Sequence, residues 1–211
     1  MSVTAQSIFV NNAVNSYKLE LYLKEKILPD LEKIRGGFDK IHTLEVVEWL
    51  KKIIGHHPEL GLDEAVMIIA AYAHDWGYSN IFKEGEVMDF EKVEGAKSLH
   101  MELGAKKLEQ LLRDDFFDFL SDERKSRAIH LVAVHDKKFE IKDTDELVLM
   151  EADMLSALSI GGEKPKNDAV WNAKFMEAMR TTRIPKFITE YGKHEAARLV
   201  KEREAYYDGL K

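Results

Sequence analysis

Ala65-Val-Met-Ile-Ile-Ala-Ala-Tyr-Ala-His-Asp-Trp-Gly77 decides how this chain is read. From Ala65 to Ala73 the run is apolar on every side, the mark of a buried helix and not of a surface one. It then ends in an imidazole and a carboxylate, His74 and Asp75. Neither group belongs in an apolar interior unless a partner satisfies it. A divalent cation satisfies both at once, because neutral imidazole and carboxylate are both good ligands for one.

Helical periodicity continues on either side of this segment. The apolar spacing predicts helices over 12–34, 42–56, 63–76, 91–112, 121–136, 144–160, 168–181 and 193–208, with no strand-like alternation of useful length. Asp63 is placed to cap the third helix, and Gly61 marks the turn before it. His57-Pro58 ends the second, since a residue before proline is pushed out of helical geometry. Gly77 and Gly85 bracket a loop, and Gly161-Gly162 with Pro165 mark another break. The expected class is all-α, an irregular helical bundle.

At 211 residues, 45% hydrophobic and 33% charged, the chain reads as one domain, 1–211, with ample apolar content for a core. The expected core is about 38–160, with the N-terminal helix 12–34 and the C-terminal helices 168–208 packed on it. A net charge of −7 disfavours binding to a nucleic-acid polymer through a basic surface. The absence of cysteine excludes disulfides, thiolate zinc sites, iron–sulfur clusters and cysteine nucleophiles. Met1 to Val10 lacks the basic-then-apolar pattern of a secretory signal, and no apolar run approaches the ~20 residues of a membrane span. The expectation is a cytoplasmic protein without a membrane partner.

Other helices carry comparable anomalies. Asp153 lies among Leu149, Met150 and Ala157 on an apolar face, where an unpaired carboxylate is costly. Glu151 is expected to point elsewhere, into solvent. His42 opens the second predicted helix and shares a stripe with Val46, Trp49, Leu50 and Ile53. His100 shares a face with Ala96, Leu103 and Gly104, residues small enough to let another backbone or a bound group come close. His135 shares a face with Ala128, Leu131 and Val132. His130, His56, His57 and His194 read as surface or capping groups. Asp136, which makes a second His-Asp pair with His135, reads as solvated because Lys137-Lys138 follow it. A single histidine on an apolar face is more often a satisfied core residue than a ligand. The joint occurrence of His42, His74, Asp75 and Asp153 is what points to metal, with His100 and His135 as further candidates.

These residues resemble the HD superfamily of metal-dependent phosphohydrolases. The family pattern, His … His-Asp … Asp, falls here on His42, His74-Asp75 and Asp153. Ala73-His-Asp-Trp-Gly77 looks like its central motif, Glu151-Ala-Asp-Met-Leu-Ser-Ala157 like its closing segment, and Ser98-Leu-His-Met-Glu-Leu-Gly-Ala105 like the stretch that carries an extra histidine. His135 stands where many members carry another, and the resemblance spans about 38–160. It implies an irregular bundle of the HD-domain type and one or two divalent ions per chain. Mn, Fe, Co, Ni or Zn suits the mixed donor set better than Mg. With two ions, Asp75 would bridge them ~3.5–4 Å apart and His100 and His135 would hold the second. With one, those histidines would hold phosphate or shuttle protons, so Asp75, His100 and His135 are the candidate catalytic residues. Two features depart from particular subfamilies. Gly77-Tyr-Ser-Asn80 puts no acid directly after the His-Asp pair, the next acids being Glu84 and Glu86, and no Gly-Tyr-Pro signature occurs.

The implied function is hydrolysis of a phosphate ester of a nucleotide or other small phosphorylated metabolite by metal-activated water. Two alternatives stand beside it: a mixed-valent di-iron oxygenase of HD-like fold, and a non-catalytic module that binds metal or nucleotide. Lys83, Lys97, Arg124, Arg127, Lys137 and Lys138 are candidate phosphate contacts, most of them expected to be solvated. Homodimerisation is left open, as are the substrate and the general acid.

Overall fold

The computed structural model describes residues 5–86, 89–137, 139–160 and 169–209. It is all-α, and no strand occurs among the described residues. The helices are α1 (Ala5–Glu32), α2 (Phe38–His56), α3 (Glu64–Ala73), α4 (Phe90–Gly95), α5 (Lys97–Leu111), α6 (Asp122–Val134), α7 (Thr144–Leu158), α8 (Ala169–Ala178) and α9 (Glu190–Asp208). The predicted break at Gly161-Gly162 and Pro165 lies outside the described residues. Among the described residues, no helix is long and apolar enough to cross a membrane.

α3 is the axis of the bundle. Every residue from Val66 to Ala73 is buried, and α1, α2, α6 and α7 all pack against it. Its apolar circumference is therefore matched by neighbours on every side. Asp63 caps it as expected, its side chain accepting from the Val66 N–H at 3.2 Å. α7 lies between α2 and α9 and is buried over almost its whole length.

Several boundaries differ from the sequence reading for identifiable reasons. Helix 91–112 is two helices, α4 and α5, that meet at Ala96 (φ −98°, ψ 0°), directly after Gly95, whose backbone freedom weakens a helix. α2 starts at Phe38 and not at 42, so His42 sits in its second turn. The preceding turn uses Arg35, Gly36 and Gly37, all with positive φ (46°, 67° and 81°). Glycine adopts this conformation freely, whereas for Arg35 it costs about 1–2 kcal/mol. The 63–76 and 121–136 helices stop early, at Ala73 and Val134, leaving His74-Asp75 and His135-Asp136 in the turns beyond. Helix 168–181 ends at Ala178 and passes into a π turn, Met179–Arg183.

A close backbone approach seats the first of these turns on α5. Residues Trp76–Asn80 form a 3-10 turn that packs on α5. A Cβ on Gly77 would lie 1.9 Å from the His100 carbonyl oxygen, and one on Gly104 would touch Gly77 N at 3.3 Å. The small residues on the His100 face thus admit a backbone, that of the His-Asp turn itself. Asp30 tethers the same turn to α1, accepting from Trp76 Nε1 at 2.8 Å and from Lys107 Nζ at 2.7 Å.

Candidate metal centre

His74 and His135 are built alike. Each is the first residue past a helix C-terminus, and each Nδ1 lies 2.8 Å from the carbonyl three residues back, Ala71 or Val132. A carbonyl only accepts, so Nδ1 carries the proton and Nε2 keeps a free lone pair. His42 Nδ1 lies 2.9 Å from Ser156 Oγ, which is itself 3.0 Å from Glu45 Oε2. With Ser156 donating to that carboxylate, its oxygen accepts from His42, and the same tautomer results. His100 Nδ1 is buried without a partner, and its ring stacks on Tyr78 at 4.1 Å.

The four Nε2 atoms converge on Asp75, one of whose oxygens faces each histidine pair. Oδ2 lies 3.9 Å from His42 Nε2 and 3.6 Å from His74 Nε2, which are 3.3 Å apart. Oδ1 lies 3.5 Å from His100 Nε2 and 3.6 Å from His135 Nε2, which are 3.2 Å apart. Bonds of about 2.1 Å to one ion set neighbouring donors roughly 3.0–3.5 Å apart. Both clusters, His42–His74–Asp75 and Asp75–His100–His135, are therefore close to the spacing an ion requires. Asp153 adjoins the first through His42, with Oδ1 at 3.1 Å from Nε2. All six residues singled out in the sequence meet here, each no more than 8% exposed.

Their electrostatics reflect that crowding. Burial works against the charge of Asp75, but His74, His135, His100 and Arg35 together hold its carboxyl well below the usual range. Burial likewise opposes ionisation of Asp153, and the hydrogen bond and charge of His42 overcome it, lowering its pKa. Burial disfavours protonation of His42 and His135, yet their carboxylate partners, Asp153 and Asp75, raise both. Burial prevails at His74, which is lowered, and at His100, lowered to about 4. Imidazoles that stay neutral are the form that ligates metal.

Four participants escaped the sequence reading. Arg35 is 5% exposed, and its Nη2 lies 3.5 Å from Asp75 Oδ2. Fully buried Asp39 grips it, Nε donating to Oδ2 at 2.7 Å and Nη2 to Oδ1. The Arg35 guanidinium lies 4.0 Å from the Tyr78 ring centroid and the His100 ring stacks at 4.1 Å, so Tyr78 is sandwiched between guanidinium and imidazole. Ser156 orients His42. The available signals were the double glycine after Arg35, the i,i+4 spacing of Arg35 and Asp39, and the i,i+3 spacing of Asp153 and Ser156.

Two expectations fail. Glu151 is not solvated but fully buried, accepting from the Ile188 and Thr189 N–H groups and from Thr189 Oγ1. Asp136 is not solvated either. Its flanking lysines do not decide its environment, because the buried guanidinium of Arg183 folds onto it. The candidate phosphate contacts disperse. Arg124 pairs with Asp63, and Arg127 with Asp143 and Asp145, at the ends of α3 and α6 remote from His74 and His135. Lys83 is exposed, Lys137 meets Glu140 at 3.7 Å, and Lys138 lies outside the described residues. Of the five that are described, Lys97 pairs with a residue beside the centre, 3.9 Å from Asp136. His130, His56 and His194 are at the surface, and His57 Nε2 accepts from the Tyr191 N–H near the start of α9.

A family model described as HD domain matches residues 40–158, more than half of the chain. No curated protein and no solved structure matches it.

Proposed function

The chain belongs to the HD-domain family, and on that premise we propose that it is a metal-dependent phosphohydrolase acting on a phosphate ester of a nucleotide or another small phosphorylated metabolite. HD domains are commonly metal-dependent hydrolases, and the His/Asp groups here could hold a divalent ion. The observation that carries the reading is the division of Asp75, one carboxylate oxygen facing His42 and His74 and the other facing His100 and His135. Such a carboxylate suits a bridging role between two ions, with Asp153 completing the first set. Bound divalent ions would supply water of lowered pKa and neutralise charge on a phosphoryl oxygen.

The chain's own residues prepare that chemistry. Ala71, Val132 and Ser156 fix the Nδ1 protons of His74, His135 and His42, so the Nε2 lone pairs face inward. Arg35, oriented by Asp39 and Tyr78, joins His74, His135 and His100 in keeping Asp75 ionised and adds fixed positive charge at the centre. Burial of the ligands limits competing water.

Elemental analysis of freshly purified protein, followed by a phosphatase screen with nucleotides and sugar phosphates, tests the proposal. Asp75→Ala should reduce turnover to background and release metal while circular dichroism retains the helical content. Unchanged metal stoichiometry in that variant would overturn it. The complete six-donor set also fits a second reading, a di-iron oxygenase. Two irons per chain with oxygen uptake, and no phosphatase activity, would favour that one.

A further inference from the structure

Arg183 stands out among the described charges. It ends the π turn Met179–Arg183, an insertion into helical geometry found often at functional sites. It is 4% exposed, its Nη2 donates to Asp136 Oδ1, and its Nη1 is buried with no hydrogen-bond partner. A buried guanidinium donor left unmade is costly, which marks a position where a ligand is expected to supply the acceptor.

Its place in the fold says which ligand. Asp136 follows His135 directly, and its other oxygen, Oδ2, faces Lys97 Nζ at 3.9 Å. Lys97 lies one turn before His100 on α5 and also meets Glu94, a carboxylate two-thirds exposed, at 2.6 Å. Two cations from distant segments thus flank one carboxylate beside the His100–His135 half of the centre. A planar guanidinium with a spare N–H, sharing a carboxylate with an ammonium, matches a tetrahedral oxyanion.

We propose that Arg183 and Lys97 bind a phosphoryl oxygen of the substrate, with Asp136 as the residue that positions Arg183. The assignment rests on the phosphohydrolase reading for its substrate, but the anion subsite can be tested without turnover. Nη1 is sealed from solvent in this state, so binding involves rotation of the guanidinium about its Asp136 contact.

The probe is inorganic phosphate, titrated calorimetrically into the metal-loaded full chain. Arg183→Gln should weaken phosphate binding about tenfold or more, as expected for loss of a charged hydrogen bond, with metal stoichiometry unchanged. Arg183→Lys should restore part of that loss. Lys97→Ala, at a side chain 28% exposed and so less buried than Arg183, should weaken binding severalfold. In turnover the same variants should raise KM for a phosphate monoester more than they lower kcat. Unchanged phosphate affinity in both Arg183→Gln and Lys97→Ala overturns the subsite, as does a metal-loaded wild type that binds no phosphate. Arg183-dependent phosphate binding with no hydrolysis of any phosphate ester would uphold the subsite and refute the phosphohydrolase assignment.

Discussion

Glu151 and Asp153 stand two residues apart on α7, both buried, yet their surroundings differ. Glu151 is met by protein donors: two backbone N–H groups and a hydroxyl at the entrance to α9. Gly192 leaves room for it, since a Cβ there would come within 2.2 Å of Glu151 Oε2. Asp153 faces an imidazole 3.1 Å away, in a cluster whose Nε2 atoms point at carboxylates and at one another. The first cluster is complete and docks α9 onto α7. The second is a set of acceptors and lone pairs gathered without enough donors among them. Burial of an acid therefore does not distinguish structure from chemistry. What distinguishes them is whether the protein itself supplies the donors.

The contrast is breakable by experiment. Asp153→Ala should have the largest consequence, turnover at background, while its effect on the melting temperature of the metal-free protein should be smaller than that of the corresponding change at Glu151. Activity close to wild type would place Asp153 with Glu151 as a structural acid. Glu151→Ala should cost about 3 kcal/mol in denaturant unfolding, because the N–H groups of Ile188 and Thr189 lose their acceptor. Metal content per folded chain should not change, and a drop in it would tie the α9 dock to the centre.

Ser156→Ala removes the partner of His42 Nδ1 and should weaken metal binding about tenfold, the scale of an outer hydrogen bond to a ligating histidine. Competition with a chromogenic chelator reads this directly, and equal affinities would remove Ser156 from the site. The smallest effect concerns pH. Burial raises the Glu151 pKa above its ordinary 4.5 despite its hydrogen bonds. The native state therefore holds that proton more tightly than the unfolded chain. Its contribution to stability is full below the ordinary value and declines as pH rises through the raised one. Wild type minus Glu151→Gln should show that decline, and a flat difference would contradict it.

The same two acids show how far the sequence could be read. Asp153 was legible because its helical neighbours Leu149, Met150 and Ala157 are all apolar. Glu151 was misread because its partners, Ile188 and Thr189, lie some 37 residues on, in a segment with no periodicity to align it. Arg35 was missed for a related reason. A double glycine signals a turn but not its direction, and three consecutive positive φ values turn this one inward. Asp136 failed because a dipeptide of lysines describes the chain beside it, not the Arg183 that arrives from the π turn after α8.

Sequence alone determined that this is an all-α chain whose 65–73 helix is buried, and that His42, His74, Asp75, His100, His135 and Asp153 are polar groups on apolar faces. Periodicity and burial cost are local properties, written into residues three and four apart. Only the tertiary structure decided that Asp75 divides its oxygens between two histidine pairs, that Gly77 seats its turn on α5, that Arg35 reaches Asp75 and that Arg183 reaches Asp136. Those facts depend on distances between segments far apart in the chain, which packing sets and no short stretch of sequence encodes.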